Sequence, residues 1–580
     1  MISLDPDQLK AATTTSTNAL VCAAPGSGKT RTLVERAAWL IEEQKISPFE
    51  IVLVTFTRKA SQEMRERIGA CIGAAANKIT IGTFHSIALR LLHRFGDLIG
   101  YKPKNITVYG EWEESILLKE CARDLAIYNG KTWKIRKNDV DAVFSAYYDC
   151  GKEPSEGSPC YKLFKDFMGR CRENCSMTYG GLLLGIRQLL PYIAKYLQWK
   201  HLMVDEAHDN SIFQWDLIRD IQAYTGCSLF AISDPDQAIY SWRGAYPQYI
   251  VDHAKDFDVY MLERNYRSLP EIVEAANRLI EHNSERLPKT MRATRNLDVS
   301  SFDIDTEVVQ TLTGCDSVEL ANVVAAWKYW GHGSVAVLSR IHVLLEKLSE
   351  ELTAIGVPHV KIGRKTELTN SEEFRRIHAF LKLIVNPYDN FSFMLIREKV
   401  GLSREQYNAV RLAATQMSAS HYQAWVKSSF TLPEFMQYDW NGGDYPLFTV
   451  IAHMQDSVAI SDDILDFITA WISDNPTGTV AEYLDWLATW DIQDEIADEE
   501  NKDKVTLCTI HAAKGLEFPV VIVAGCNEGI LPSKRAVSAG DIEEERRLMY
   551  VAATRAEDRL IITVRPETED SPRSRFIGEM

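Results

Sequence analysis

The sequence contains no apolar run of ~18 residues, the length a membrane-crossing helix needs, so no membrane span and no membrane partner are expected. Its first residues, Met1-Ile2-Ser3-Leu4-Asp5-Pro6-Asp7, form neither a basic nor an apolar leader. A CxxC pair is also missing. Eleven cysteines without a leader imply free thiols in a reducing compartment, and a cytoplasmic protein is expected. Four of them cluster as Cys150, Cys160, Cys171 and Cys175, but their spacing fits no zinc pattern, so a metal is not expected there. Positive charge is in short supply: 64 Lys and Arg face 80 Asp and Glu, for a net charge of -16. That balance argues against a surface that is basic all over, and leaves only local tracks to contact a polyanion. The candidate tracks are Arg58-Lys59 with Arg65 and Arg67, and Lys131 to Lys137. Each reads equally well as a solvated helix face.

What is present is ordinary globular composition, 46% apolar, over 580 residues. That length is too great for one core and suggests about three to four domains. Short apolar runs alternate with helical patterns. Ala19 to Val21, Ile51 to Val54, Leu202 to Val204 and Leu229 to Ile232 read as buried strands. Arg31 to Ile41 and Ala60 to Ile68 read as helices between them. This alternation predicts an α/β fold with a parallel sheet covered on both faces. The stretch from about Glu111 to Tyr196 lacks comparable strands and reads as a helical insertion. The pattern then repeats in kind, with strand candidates at Ser334 to Leu338, Val505 to Thr509, Val520 to Ala524 and Leu560 to Val564. A second helical segment lies between about Phe391 and Asp503. Two α/β domains are therefore expected, each interrupted by helices. The first would span 1–110 and 181–262 around an insertion at 111–180. The second would span 263–390 and 504–580 around an insertion at 391–503.

The sharpest motif is Ala23-Ala24-Pro25-Gly26-Ser27-Gly28-Lys29-Thr30, placed between an apolar strand and a helix. That is the context a phosphate-binding loop requires. Glycines at 26 and 28 let backbone N–H groups approach phosphates, Lys29 neutralises their charge, and Thr30 offers a hydroxyl to Mg²⁺. Such a loop needs a carboxylate partner at a strand end. Leu202-Met203-Val204-Asp205-Glu206 supplies it, with Asp205 for Mg²⁺ and Glu206 for the attacking water. ATP and Mg²⁺ are the expected ligands. The transition state also needs added positive charge, for which Arg267 and Arg555 are candidates.

These residues sit within a longer series of blocks. Leu4-Asp5-Pro6-Asp7-Gln8 opens it, and the loop continues into Arg31. Val54-Thr55-Phe56-Thr57-Arg58-Lys59-Ala60 and Gly82-Thr83-Phe84-His85-Ser86 follow. Next come Asp205-Glu206-Ala207-His208-Asp209 and the run Ser233-Asp234-Pro235-Asp236-Gln237-Ala238-Ile239-Tyr240-Ser241-Trp242-Arg243-Gly244-Ala245. The second half adds Leu262-Glu263-Arg264-Asn265-Tyr266-Arg267-Ser268, Thr509-Ile510-His511-Ala512-Ala513-Lys514-Gly515-Leu516-Glu517-Phe518 and Glu544 to Ala556. In this order they resemble the UvrD/Rep/PcrA-like helicases of superfamily 1A, collinearly from near Leu4 to Glu579.

The resemblance implies two RecA-like P-loop domains and an ATP-driven DNA helicase moving 3′→5′ on single-stranded DNA, with tailed duplex as substrate. ATP would contact Gln8, Ala24, Pro25, Gly26, Ser27, Gly28, Lys29, Thr30, Arg31, Tyr266 and Glu517. Gln8 would read the adenine edge, Arg31 and Tyr266 would stack on the base, and Glu517 would bind the ribose. Gln237 would sense the γ-phosphate, and Arg267 and Arg555 would act as arginine fingers. Phe56, Thr83, His85, Tyr240, Trp242, Arg243 and His511 would face DNA. Trp242 is the leading aromatic candidate for base stacking, which tolerates any sequence.

Three departures stand out. The block at 205 reads DEAHD where the family has DEFQD, which bears on coupling to the segment at 233–245. The segment between Ser268 and Thr509 is shorter than usual, which bears on the second insertion. The chain is also expected to lack a partner-recruiting C-terminal tail and a nuclease domain. The competing expectations are a translocase that strips proteins and unwinds poorly, a motor subunit of a larger phage or defence assembly, and an RNA-dependent ATPase.

Overall fold

The computed structural model describes residues 4–102, 105–296, 307–329, 334–362, 368–397, 399–430, 432–488 and 503–580. Residues 1–3 of the N-terminal reading lie outside them, as does the side chain of Cys150.

The first half contributes eight strands: β1 (Asn18–Ala23), β2 (Ile51–Val54), β3 (Thr80–Gly82), β4 (Thr107–Tyr109), β5 (Ser176–Thr178), β6 (His201–Val204), β7 (Ser228–Ser233) and β8 (Asp258–Leu262). Six of them form one sheet in the order β3-β2-β6-β7-β1-β8, all parallel. Their runs of Val, Ile and Leu are buried because helices cover both faces. β4 and β5 pair separately.

The chain then crosses to the second half through β9 (Arg264–Asn265), which pairs with β10 (Arg292–Ala293). β11 (Val309–Leu312), β12 (Val335–Ser339), β13 (His359–Lys361), β14 (Val505–Thr509), β15 (Phe518–Ala524) and β16 (Ala556–Thr563) follow. They form a second parallel sheet in the order β11-β16-β15-β12-β14-β13. The expected α/β class with two RecA-like parallel-sheet domains holds, and each strand run found in the sequence lies in or overlaps a strand.

The insertions differ from their expected bounds. The first carries helices Glu111–Asp124, Lys137–Cys150, Tyr161–Glu173 and Tyr179–Ile193. The last of these packs both on the first sheet domain and into the insertion's core, so no sharp break falls at residue 180. The second insertion opens earlier than residue 391. Helix Glu372–Val385 buries Phe374, Ile377, Phe380, Leu381 and Ile384 in the same core as helices Leu447–Gln455, Asp462–Asp474 and Val480–Ala488. Its apolar spacing reads alike for a sheet-covering helix or a bundle helix, so only the packing assigns it.

The two insertions also lock together. Tyr109 donates its hydroxyl hydrogen to buried Asp389, and the Asn386 amide donates to Thr107 Oγ1 and to the carbonyl of Asn174. Phe391 joins the core of the first half. Cys160, Cys171 and Cys175 are buried, and burial raises each thiol pKa. Among the described residues no group of three or more His, Cys, Asp or Glu side chains could hold a metal ion, and no helix is long and apolar enough to cross a membrane.

Candidate nucleotide and nucleic-acid site

The carboxyl ends of first-sheet strands β1 and β6 and the amino ends of second-sheet strands β15 and β16 border a shared cleft of about 850 Å³. β1 ends in the glycine-rich turn, and Lys29 begins helix Lys29–Glu42. Gly26 and Gly28 adopt left-handed backbone, with φ of 67° and 77°. Side chains there would also collide. A Cβ on Gly26 would meet Arg267 Cβ at 2.8 Å, and one on Gly28 would meet Gln8 Nε2 at 2.6 Å. The turn is thus a backbone surface gripped by the second half. The Asn265 amide donates to Pro25 O at 2.9 Å, and the N–H of Tyr266 donates to Gly26 O at 2.9 Å.

Lys29 Nζ lies 3.1 Å from Glu206 Oε2, and Asp205 Oδ1 accepts the N–H of Glu206 at 3.0 Å. Glu206 holds a left-handed conformation, φ 47°, which turns its carboxylate into the cleft. Burial and then the Glu206 charge raise the pKa of Asp205. Burial also works against the Glu206 carboxylate, but Lys29 and Lys514 outweigh it and hold its pKa below the usual value. The crowding of two carboxylates beside the Thr30 hydroxyl makes a hard-oxygen set that a divalent cation would relieve, so these residues fit Mg²⁺.

The second half completes the wall. Arg555 is buried and donates to Gln237 Oε1 at 3.0 Å, and burial with nearby Arg267 lowers its pKa to about 9. Arg267 donates to Glu517 Oε2 at 2.7 Å and to the carbonyl of Thr554 at 3.2 Å. Pro25 to Arg31, Asp205, Glu206, Gln237, Tyr266, Arg267, Glu517 and Arg555 line one cavity. Ala24 is buried and hydrogen-bonds Leu262.

Gln8 packs beside the loop and does not line the cavity. Its amide donates to Ser27 O at 2.9 Å and accepts the N–H of Asp5 at 3.1 Å. It is buried and braces the loop, with one amide hydrogen and one oxygen lone pair beyond these two bonds.

The aromatic candidates divide in two. Trp242 is 65% exposed, with the Arg243 guanidinium 4.8 Å from its ring centre. Tyr240, in contrast, is 4% exposed. It stacks on Phe56 at 5.2 Å, and its hydroxyl donates to His511 O at 3.0 Å. Tyr240 is therefore a buried link between Phe56, Trp242 and His511 and offers no open face for stacking. Burial, with Arg340 and Arg243 nearby, lowers the pKa of His511 to about 4. Thr83 is also mostly buried and caps helix Phe84–Phe95, its Oγ1 accepting the N–H of Ser86. His85 stacks on Tyr179 at 3.8 Å, and burial lowers its pKa to about 3.

The basic track at Arg58–Arg67 is divided. Arg58 donates to the carbonyl of Trp486, Arg65 donates to Ile81 O, and Arg67 pairs with Glu63. Lys59 and Arg67 line the nucleotide cleft. In the second track, Arg136 and Lys137 form exposed ion pairs with Asp139 and Asp141.

Several residues were not singled out from sequence. Buried Lys514 bridges Asp209 and Gln237 O, the latter at 2.9 Å. Lys289 is buried between Asp234 and Asp236, and Arg286 pairs with Asp236 at 2.7 Å. These pairs join the two halves beside the cleft. Lys514 and the two aspartates lie inside recognised blocks, but their partners are remote in sequence.

A phosphate-binding loop on one parallel sheet, faced by two arginines from the second half of the chain, defines a two-domain P-loop nucleoside triphosphatase. Residues 4–258 match the UvrD/REP helicase N-terminal domain, and residues 260–423 and 470–567 match the UvrD-like helicase C-terminal domain. An ATP-dependent DNA helicase PcrA of Leuconostoc citreum is 30% identical over 99% of this chain and 84% of its own length. PcrA of Bacillus subtilis (strain 168) is 29% identical over 100% of this chain and 85% of its own length. The chain belongs to the UvrD/Rep/PcrA-like family of superfamily 1A, the ATP-dependent DNA helicases.

Proposed function

We propose that the chain is a motor that translocates 3′→5′ on single-stranded DNA and unwinds tailed duplexes in the cytoplasm, in repair, replication or recombination. One observation carries this reading. Arg555 from the second half holds Gln237, and three residues onward Tyr240 leads through ring contacts to exposed Trp242. The nucleotide cleft and the surface aromatic are thus ends of one short segment.

In this reading ATP binds in the cleft. Lys29 leaves Glu206 for the phosphates, while Arg31 and Tyr266 flank the base. Bound Mg²⁺, held by Thr30 and Asp205, supplies charge neutralisation on the phosphates. Glu206 orients and deprotonates the attacking water. Arg267 and Arg555 stabilise the charge that develops, and closure of the cleft brings them in. Trp242 stacks on a DNA base with Arg243 beside it, His85, Thr83 and Phe56 border the strand, and Tyr240 and His511 transmit the movement.

The test is steady-state ATP hydrolysis with and without single-stranded DNA, with Lys29→Ala as control. Strong stimulation that the variant loses supports the motor. No stimulation overturns the DNA-coupled reading. Trp242→Ala is expected to keep basal hydrolysis and lose unwinding; normal unwinding by it ends the stacking role. Comparison of 3′- and 5′-tailed duplexes tests direction.

A specific observation favours a second reading, a translocase that strips proteins and unwinds poorly. Residues 428–501 contain no lysine or arginine, so this part of the second insertion repels duplex phosphates. Rapid translocation with little strand separation would select that reading.

A further inference from the structure

Two buried aspartates beside the cleft are held by cations from the other half of the chain. Asp234 and Asp236 follow β7 of the first sheet, whereas Arg286 and Lys289 belong to the second half. Lys289 Nζ lies 2.5 Å from Asp234 Oδ1 and also pairs with Asp236. Arg286 Nη2 lies 2.7 Å from Asp236 Oδ2. Lys289 and both aspartates are buried. A buried charge is costly unless it is paired, so each carboxylate depends on the cations that face it.

Asp234 has a second contact that reaches the cleft. Its Oδ2 accepts an N–H of the Gln237 side chain at 2.5 Å. The other end of that amide, Oε1, accepts from Arg555 Nη2 at 3.0 Å. A reversed amide would set its oxygen against a carboxylate and its N–H₂ against a guanidinium, two repulsive contacts. The Asp234 carboxylate therefore decides which end of Gln237 meets Arg555. One hydrogen on Gln237 Nε2 remains beyond the Asp234 bond, on a side chain that lines the nucleotide cleft. Asp234 and Lys289 themselves do not line it.

We propose that Lys289 is a positioning residue for ATP hydrolysis: through Asp234 it fixes the Gln237 amide with its oxygen towards Arg555 and its remaining hydrogen left for the γ-phosphate. This rests on the ATPase reading above and deepens it. Lys289 acts from outside the cleft, and no bond is made or broken by it. Its charge reaches from the second half into the first, so the amide is aligned only while the two halves are in register. Asp234 also accepts the backbone N–H of Asp236 at 3.2 Å. A role confined to shaping that turn is the alternative that the test must separate.

Lys289→Met is expected to lower DNA-stimulated kcat about tenfold and to leave the KM for ATP within about twofold. In a Gln237→Ala background the same substitution should bring no further loss, because the side chain it acts through is gone. A second loss of similar size in that background overturns the proposal, as does full turnover by Lys289→Met. The variant Lys289→Met/Asp236→Asn removes one charge of each sign and keeps the buried cluster balanced. Its unfolding midpoint should match that of the unsubstituted chain while kcat stays low. Recovery of kcat together with the midpoint would reduce Lys289 to charge balance and overturn the positioning role.

A second readout does not depend on turnover. ADP with aluminium fluoride mimics the transferring phosphoryl group, which Gln237 and Arg555 would meet, whereas ADP alone lacks it. Lys289→Met should weaken binding of the mimic about tenfold and leave the affinity for ADP unchanged. Equal affinity of the variant and the unsubstituted chain for the mimic overturns the proposal even if hydrolysis is altered. Absent hydrolysis by the unsubstituted chain, with the mimic bound and its binding weakened by Lys289→Met, would instead implicate the ATPase reading.

Discussion

The two helical insertions are built from similar elements yet differ in charge, one balanced and the other acidic over a long stretch. Residues 111–193 hold equal numbers of basic and acidic side chains, and their exposed charges pair locally, as Arg136 does with Asp139. Residues 428–501 hold sixteen Asp or Glu and no Lys or Arg. That stretch has no lysine or arginine to neutralise a phosphate, so it cannot grip duplex DNA by charge. Where the second insertion meets the first, it is different again: polar, buried and fully paired. Asn386, Asp389 and Tyr109 form a hydrogen-bonded junction, with Lys382 on Glu113 at 2.6 Å beside it. The insertion thus combines a neutral, paired junction with a stretch of sequence that carries acidic charge alone. Helical content alone therefore says little about what an insertion does.

The largest expected effect comes from breaking the junction. Asp389 accepts hydrogen bonds from Tyr109, Ser392 and two backbone N–H groups. Asp389→Ala leaves these donors buried without a partner and should cost about 3 kcal/mol, read as a lowered midpoint of denaturant unfolding. An unchanged midpoint would show that the insertions are not anchored there.

Next in size is a reversal of the acidic end. The triple variant Asp456→Lys, Asp466→Lys, Asp474→Lys changes exposed positions and should bind tailed duplex about tenfold more tightly, or ~1.4 kcal/mol. Its salt dependence should steepen by about 0.9 for each new phosphate contact. Equal affinity at all salt concentrations would mean that this face lies away from the duplex.

Smaller still, Lys382→Met removes a shielded ion pair across the junction and should cost about 1 kcal/mol by the same unfolding measurement. Arg136→Ala, at an exposed pair within the first insertion, should leave the unfolding midpoint within experimental scatter. A loss as large as that of Lys382→Met would erase the distinction between junction and surface.

The sheet strands and the phosphate loop were legible because their signals are local. A run such as Ile51-Val52-Leu53-Val54 and a turn such as Gly26-Ser27-Gly28 carry their structural reason in a few residues. The helix at Glu372–Val385 was not assignable in that way, since its apolar face suits either a sheet or a bundle. Lys514 with Asp209 and Lys289 with Asp234 also left no local trace, because each pair is made only when distant segments fold together. Tyr240 and Gln8 show the converse. Both lie in recognisable blocks, yet packing commits one to the interior and the other to bracing a loop.

The crossing between the halves is a single residue, Glu263, set between the last strand of the first sheet and β9. Consecutive Cα atoms are about 3.8 Å apart, so this spine has almost no slack. A second link joins the halves, the hydrogen-bonded junction of Tyr109, Asp389 and Asn386, so in the proposed motor any rotation takes place about two fixed points. If the chain is the motor proposed above, a longer linker inserted at Glu263 should act like a slipped axle: ATP is still hydrolysed, and less strand is separated per ATP.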